Sequence, residues 1–341
     1  MTPAVSVLLP LYNAAATIDE ALDSLQMQTL DDFEVVAVDD GSDDSTADRV
    51  RARAAADPRL RLLTGPHRGL VAALNRGLAD CRAPLVARMD GDDRCLPGRL
   101  EQQVVLARQR ADVDVIGCRV ELFAAAEISP GFAAYVDWLN GLVDHEAIVR
   151  ALYIESPLVH PSVLFRREAV HALGGYQDPG WAEDYDLWLR CAAAGRRFAK
   201  VPAVLFQWRE HAGRLTRTDS RYAVENFLRA KAWYLAAGWL RERPEFAVWG
   251  TGQMARRLTK HLQRLGCRPQ AFIGAQTGRQ AGLLRGAPVV SAADWALGLS
   301  APGQARTRVL VALPSRAGRQ AASRRLLAAG WVETRDFLCV A

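Results

Sequence analysis

Lysine is almost missing from this chain. Of its 43 Lys+Arg residues only Lys200, Lys231 and Lys260 are lysines, so nearly all positive charge sits on guanidinium groups. Guanidinium forks match phosphate oxygens in geometry, and GC-rich coding gives the same bias; composition does not separate the two. Paired cysteines are missing as well. Cys81, Cys95, Cys118, Cys191, Cys267 and Cys339 form no C-x-x-C pair, which removes zinc-ribbon and thioredoxin-like readings and leaves buried, reduced thiols in a cytosolic protein. Long hydrophobic runs are missing too. The uncharged stretch over residues 4–18 has no basic flank, is broken by Pro10 and Asn13, and is too short to span a bilayer. Neither a signal peptide nor a transmembrane helix is expected, so any membrane contact is peripheral, at the inner face.

What is present is globular. Half of the 341 residues are hydrophobic and 24% are charged, which excludes disordered and collagen-like chains, and the length suggests about two domains. The net charge of +5 hides a division. Residues 245–341 hold 14 Lys+Arg against 4 Asp+Glu, a net of +10, and residues 1–244 hold 29 against 34, a net of −5. A boundary near Pro244 follows.

The first part alternates two periods. Apolar runs at 5–9, 33–38, 59–63, 84–89 and 113–117 predict strands, the first ended by Pro10; helical spacing predicts helices over 17–28, 45–56, 69–79 and 97–110. Such alternation implies a doubly wound, mostly parallel α/β sheet, whose ligands bind beyond the carboxyl ends of the strands. The polar clusters at 10–13, 39–42 and 90–93 fall there. Residues 119–180 are less regular and are expected to form acceptor-binding loops. A helix opens at Glu183, and 198–206 reads as a strand. The basic, aromatic Gln207-Trp-Arg-Glu-His211 follows, then a helix over 222–240.

The carboxylates carry the chemistry. Asp90-Gly91-Asp92 could share a divalent cation and a phosphate ligand, a hard oxygen site suited to Mg²⁺ or Mn²⁺; an acidic turn capping the next helix is the ordinary alternative. Asp39-Asp40 could accept from a base or ribose, or simply make an Asp-Gly turn. Glu183-Asp184 opens a helix, where the macrodipole favours a charged carboxylate and so a general base; a first-turn acidic pair without function looks the same.

Five segments in order carry a family resemblance: Val5-Ser-Val-Leu-Leu-Pro-Leu-Tyr-Asn13, Val38-Asp-Asp-Gly-Ser42, His67-Arg-Gly-Leu-Val-Ala-Ala-Leu-Asn-Arg-Gly77, Met89-Asp-Gly-Asp-Asp93 and Ala182-Glu-Asp-Tyr-Asp-Leu-Trp-Leu-Arg190. Together, over about residues 4–215, the chain resembles the family 2 glycosyltransferases of GT-A fold. The resemblance implies inverting sugar transfer from a nucleotide-diphosphate sugar, UDP by family habit, to a glycan or lipid-linked acceptor. It places Pro10, Tyr12, Asn13, Asp39, Gly69, Asn75 and Asp90 at the nucleotide, Asp92 with Asp90 and His211 at a Mn²⁺ or Mg²⁺ ion, and Asp184, supported by Glu183, as the base. His67 and Leu74 depart from the family's usual Asn and Arg.

Residues 1–215 are thus expected to form the catalytic domain, 216–244 a helical connector, and 245–341 a smaller Rossmann-like α/β domain. In the last, Gly250-Thr-Gly-Gln-Met-Ala255 follows a strand as in G-x-G-x-x-A, but no acidic residue follows at the distance a dinucleotide needs. Its role is open: packing, self-association, an unknown ligand, or contact with anionic lipid. No nucleic-acid partner is expected. Two other readings stand beside the transferase, a non-catalytic sugar-nucleotide-binding protein and an NAD-dependent oxidoreductase using Gly250 and Gly252.

Overall fold

A computed structural model describes residues 2–274, 282–293, 295 and 307–341. The chain divides into two compact units: residues 1–148, 157–179 and 183–218, and residues 149–156, 180–182 and 219–341.

The first unit is built on eight strands: β1 Val5–Leu11, β2 Phe33–Asp39, β3 Leu60–Thr64, β4 Leu85–Arg88, β5 Arg94–Cys95, β6 Val115–Ala124, β7 Leu164–Arg166 and β8 Phe198–Glu210. Their order is β3-β2-β1-β4-β7-β6-β8-β5. Pairing is parallel from β3 through β4 and between β6 and β8, and antiparallel where β7 joins β4 to β6 and where β5 meets β8. Every residue of β1 and β2 is buried, as expected of central strands covered on both faces. The helices Ile18–Gln26, Thr46–Ala56, Leu70–Asp80 and Arg99–Gln109 lie in the connections.

Pro10 does not end β1. Leu8 accepts from Met89 N at 3.1 Å on the β4 side, and Pro10, two residues on, turns its missing N–H to the same side, where β4 has already stopped at Arg88. A central strand tolerates proline only where no ladder bond is lost. Residues 119–180 are also more regular than expected: β6 runs to Ala124, helices occupy Pro130–Asn140, His145–Ala151 and Arg167–Ala172, and β7 lies directly before the last of these. The basic, aromatic Gln207-Trp-Arg-Glu belongs to the end of β8.

The second unit carries β9 Glu245–Trp249, β10 Arg268–Gly274, β11 Leu283–Leu284, β12 Ala287–Ser291, β13 Arg308–Val311 and β14 Phe337–Cys339, in the order β11-β12-β10-β9-β13-β14. All described pairs are parallel except β11 with β12. From β12 to β14 the order is 3-2-1-4-5, as in a doubly wound Rossmann-type sheet, reversing beside β9. The sequence places the end of this unit's second strand at Ile273-Gly274-Ala275, where a dinucleotide site would need an acidic residue; Ala275 lies outside the described residues. The predicted helix over 222–240 is divided into an α-helix, Val224–Tyr234, and a π-helical turn, Leu235–Trp239.

Two of the three lysines are buried donors to main-chain carbonyls. Lys200 Nζ reaches Leu139 O at 2.6 Å, and Lys231 Nζ reaches Ile154 O at 2.8 Å and Val340 O at 3.2 Å. Burial lowers their pKa values to about 7 and about 8. All six cysteines are free and buried. Among the described residues no helix is long and apolar enough to cross a membrane.

Candidate active site

The carboxyl ends of β1, β2 and β4 converge on the polar clusters. After β1 the half-exposed Tyr12 stacks on His67, ring centroids 4.2 Å apart, and Asn13 adopts φ 51°. Asn13 N donates to Ser42 Oγ at 2.9 Å, and Asn13 Oδ1 accepts from Asp43 N at 3.0 Å, tying this turn to the end of β2. Asp39 is buried and accepts from Ser42 Oγ at 2.5 Å. Asp40 accepts from the main-chain N–H groups of Arg68 (2.9 Å) and Gly69 (2.7 Å), with His67 Nδ1 2.8 Å from its carboxylate. The loop leading into the helix Leu70–Asp80 is therefore tied to a protein carboxylate. Asn75 looks elsewhere: its amide donates to Tyr176 O at 2.8 Å and accepts from Tyr176 N at 2.9 Å. That side chain is spent on bracing the loop before the acidic helix.

Beyond β4 the chain turns sharply at Gly91. A side chain there would place its Cβ 2.5 Å from Leu11 Cδ2, so any larger residue must displace the Leu11 side chain. Asp90, Asp92 and Asp93 each bring an oxygen within 4.8 Å of the others, and His211 Nε2 lies 2.8 Å from Asp92 Oδ2. Asp93, 1% exposed, accepts from Arg209 N through Oδ1, while its buried Oδ2 has no hydrogen-bond partner among the described residues. Burial and the adjacent Asp92 and Asp90 hold the Asp93 carboxyl well above its ordinary pKa. Three carboxylates with oxygens within 4.8 Å of one another, one of them with an orphaned buried oxygen, and an imidazole on Asp92 fit a hard divalent cation.

The acidic helix, Glu183–Ala193, supplies the second group. Glu183 is buried with His160 Nδ1 3.8 Å from its Oε1, and His160 Nε2 is 3.0 Å from the Tyr176 hydroxyl. Burial and the Arg88 charge keep His160 neutral, far below its usual pKa. Asp184 keeps a partly open edge and accepts from Tyr185 N at 2.7 Å. Burial, then the Glu183 charge, raises its pKa to about 7, against the lowering effect of Tyr185 N–H and Arg88. A carboxyl titrating there can accept a proton at neutral pH.

Comparison with known proteins decides the family. The model described as glycosyl transferase family 2 matches residues 6–174. The amylovoran biosynthesis glycosyltransferase AmsE of Erwinia amylovora is 34% identical over 207 residues, 60% of this chain and 75% of that protein. The chain belongs to glycosyl transferase family 2. A second relative, the Escherichia coli UDP-Gal:alpha-D-GlcNAc-diphosphoundecaprenol beta-1,3-galactosyltransferase, is 30% identical over 211 residues, 61% of this chain and 74% of that protein. Among solved structures, S. aureus TarS 1–349 in complex with UDP-GlcNAc superposes with a TM-score of 0.57 at 17% identity, covering 76% of this chain and 72% of that one. That likeness establishes the GT-A type of fold.

Arg88, Asp93, His160 and Tyr176 join this family 2 site without having been singled out. Arg88 left one signal, a charge at the end of the otherwise apolar run Leu85-Val-Ala. His160 and Tyr176 left none, lying in a segment whose period is unreadable.

Proposed function

We propose that this chain is an inverting, metal-dependent glycosyltransferase that moves a sugar from a UDP-sugar to a hydroxyl of a lipid-linked or glycan acceptor in surface polysaccharide assembly. One observation supports it most: the chain carries both the Asp90-Asp92-Asp93 group, its oxygens within 4.8 Å of one another, and a carboxyl with its pKa raised to about 7, Asp184. UDP is favoured by the donor named for the E. coli relative and by the UDP-GlcNAc in the TarS complex. The undecaprenol-linked acceptor of that relative favours a lipid diphosphate, met at the inner face of the membrane.

In this reading Pro10, Tyr12, Asn13 and Asp39 bound the nucleotide, with Asp90 on the ribose side. Asp90, Asp92, Asp93 and His211 would hold Mn²⁺ or Mg²⁺, whose chemistry there is to neutralise charge growing on the leaving diphosphate. Asp184 takes the proton of the acceptor hydroxyl. That oxygen bonds to the anomeric carbon as the bond from this carbon to the diphosphate breaks, and UDP leaves with the electron pair. One displacement from the opposite face inverts the configuration. Catalysis is assigned to residues 1–215, with 216–244 as a connector and 245–341 outside the chemistry.

The test is release of nucleoside diphosphate from a panel of UDP-, GDP- and dTDP-sugars, with Mn²⁺ and with EDTA. Release from a UDP-sugar that EDTA abolishes is expected; binding without release under every condition would leave a sugar-nucleotide-binding protein.

A further inference from the structure

Glu183 and Asp184, neighbours in the first turn of the acidic helix, have opposite surroundings. Glu183 is 2% exposed, whereas Asp184 keeps an open edge. A buried carboxylate needs partners inside the protein, and beside Glu183 Oε1 stands the imidazole of His160, with Nδ1 at 3.8 Å. The other ring nitrogen, Nε2, lies 3.0 Å from the Tyr176 hydroxyl. Two rings flank the imidazole: Tyr176 is tilted against it at 5.3 Å between centroids, and Trp188 of the acidic helix meets it edge-on at 6.0 Å. Tyr176 is itself held by its main chain. Asn75 clamps its N–H and C=O with one side-chain amide, so closely that a Cβ on Gly175, at φ 70°, would fall 2.6 Å from Asn75 Oδ1. A line of four residues, Asn75, Tyr176, His160 and Glu183, thus runs from the helix Leu70–Asp80 to the acidic helix.

The chemistry of the four groups sets where the protons lie. Burial keeps the imidazole neutral, so it has one N–H and one lone pair. A carboxylate only accepts, whereas a phenol hydroxyl also donates. Both neighbours are satisfied when Nδ1–H faces Glu183 and Nε2 accepts from the Tyr176 O–H, which makes the hydroxyl the group that selects the tautomer. At 3.8 Å the approach to Glu183 is longer than a hydrogen bond; it is an electrostatic contact, attractive with the proton on Nδ1 and repulsive with a lone pair there.

We propose that Tyr176 and His160 are positioning residues for the transfer step: the hydroxyl fixes the imidazole tautomer, the Nδ1–H fixes Glu183, and the anchored Glu183 holds Asp184 ready for the acceptor hydroxyl. The inference rests on the reading above in which Asp184 is the base. The first turn of a helix is its least constrained part, because its N–H groups lack intrahelical partners, and anchoring residue 183 removes that freedom from residue 184.

The experiment compares His160→Asn, His160→Gln, Tyr176→Phe and Asp184→Asn with the unaltered chain. The nitrogen NMR shifts of the histidine rings report the tautomer, with the His160 signals identified by their loss in His160→Asn. An Nδ1–H His160 is expected, turning to Nε2–H in Tyr176→Phe; an Nε2–H His160 in the unaltered chain would overturn the proposal whatever the rates. UDP release from UDP-galactose with Mn²⁺ then separates kcat from donor KM, with thermal unfolding as the control for folding. An asparagine amide can donate from near the place of Nδ1 and a glutamine amide only from near that of Nε2. His160→Asn is therefore expected to lose about threefold in kcat and His160→Gln about thirtyfold, within the range a misplaced catalytic group costs, with donor KM changed by less than about twofold. Equal losses in the two variants, or a loss carried by donor KM, overturn the proposal. Should His160→Gln unfold, Tyr176→Phe, which removes one oxygen, is read in its place, and an unchanged kcat there overturns it as well. Release that survives Asp184→Asn removes the base itself, whereas an inactive Asp184→Asn beside an indifferent His160→Gln removes only the positioning line.

Discussion

Two strand ends in this protein invite comparison. β4 runs parallel to β1 and antiparallel to β7, β9 runs parallel to both β10 and β13, and each gives way to a glycine-containing turn, Asp90-Gly91-Asp92 in one unit and Gly250-Thr251-Gly252 in the other. At β4 the turn gathers three carboxyls, an orphaned buried oxygen and a buried arginine. At β9 the glycines answer to packing: Gly250 has φ 131°, and a Cβ there would fall 2.6 Å from Ala312 O, whereas one at Gly252 would meet nothing within 4 Å. The comparison teaches that position at a strand's carboxyl end is necessary for a site but unsatisfied charge is what makes one.

The comparison can be broken at several points. The largest effect is expected from Asp184→Asn, which keeps shape and removes the proton acceptor: UDP release should fall about a thousandfold, with UDP and Mn²⁺ binding by calorimetry retained. Asp92→Asn should weaken Mn²⁺-dependent UDP binding by more than the roughly tenfold to hundredfold typical of an outer ligand partner. Next comes pH. Asp184 works only ionised, and its pKa stands near 7, so kcat should drop about tenfold for each unit below that value and level off above it. The same shift has a stability side. A folded-state pKa above the unfolded 3.8 means that stability falls as pH rises from about 4 to about 7, because the folded form must surrender a proton it prefers to keep. Asp184→Asn should therefore melt about 2 °C higher than the parent at pH 8, the inverse of its effect on rate.

The smallest effects belong to the other strand end. Gly250→Ala forces a side chain into a left-handed backbone against a carbonyl and should cost about 1–3 kcal/mol in the second unit, read by denaturant unfolding. Gly252→Ala should leave both stability and UDP release within experimental scatter. A loss of UDP release in Gly252→Ala comparable to that in Asp92→Asn would erase the distinction between the two turns.

Legibility in the sequence followed the locality of each feature. The aspartate turn and the Glu183-Asp184 pair are contiguous, so their residues could be read off directly, and β9 announces itself by the apolar run Phe246-Ala-Val-Trp249. What the sequence withheld was assembled from afar. Arg88, His160, Tyr176 and Glu183 meet only because β7 inserts antiparallel between β4 and β6, and β7 is three residues long. Asn75 sat in a recognisable segment and still gave no sign that its amide would brace Tyr176, 101 residues away. Pro10 misled because its tolerance depends on where a neighbouring strand stops, a fact about another part of the chain.

The carboxylate of Asp40, seated on the N–H groups of Arg68 and Gly69, has a consequence for phosphate recognition. Proteins with doubly wound sheets commonly hold phosphates on a helix amino end, and here two main-chain donors just before such an end already carry the protein's own anion. In the reaction proposed above, the charge of the diphosphate then falls to a cation at the aspartate turn, and chelation is expected to abolish donor binding.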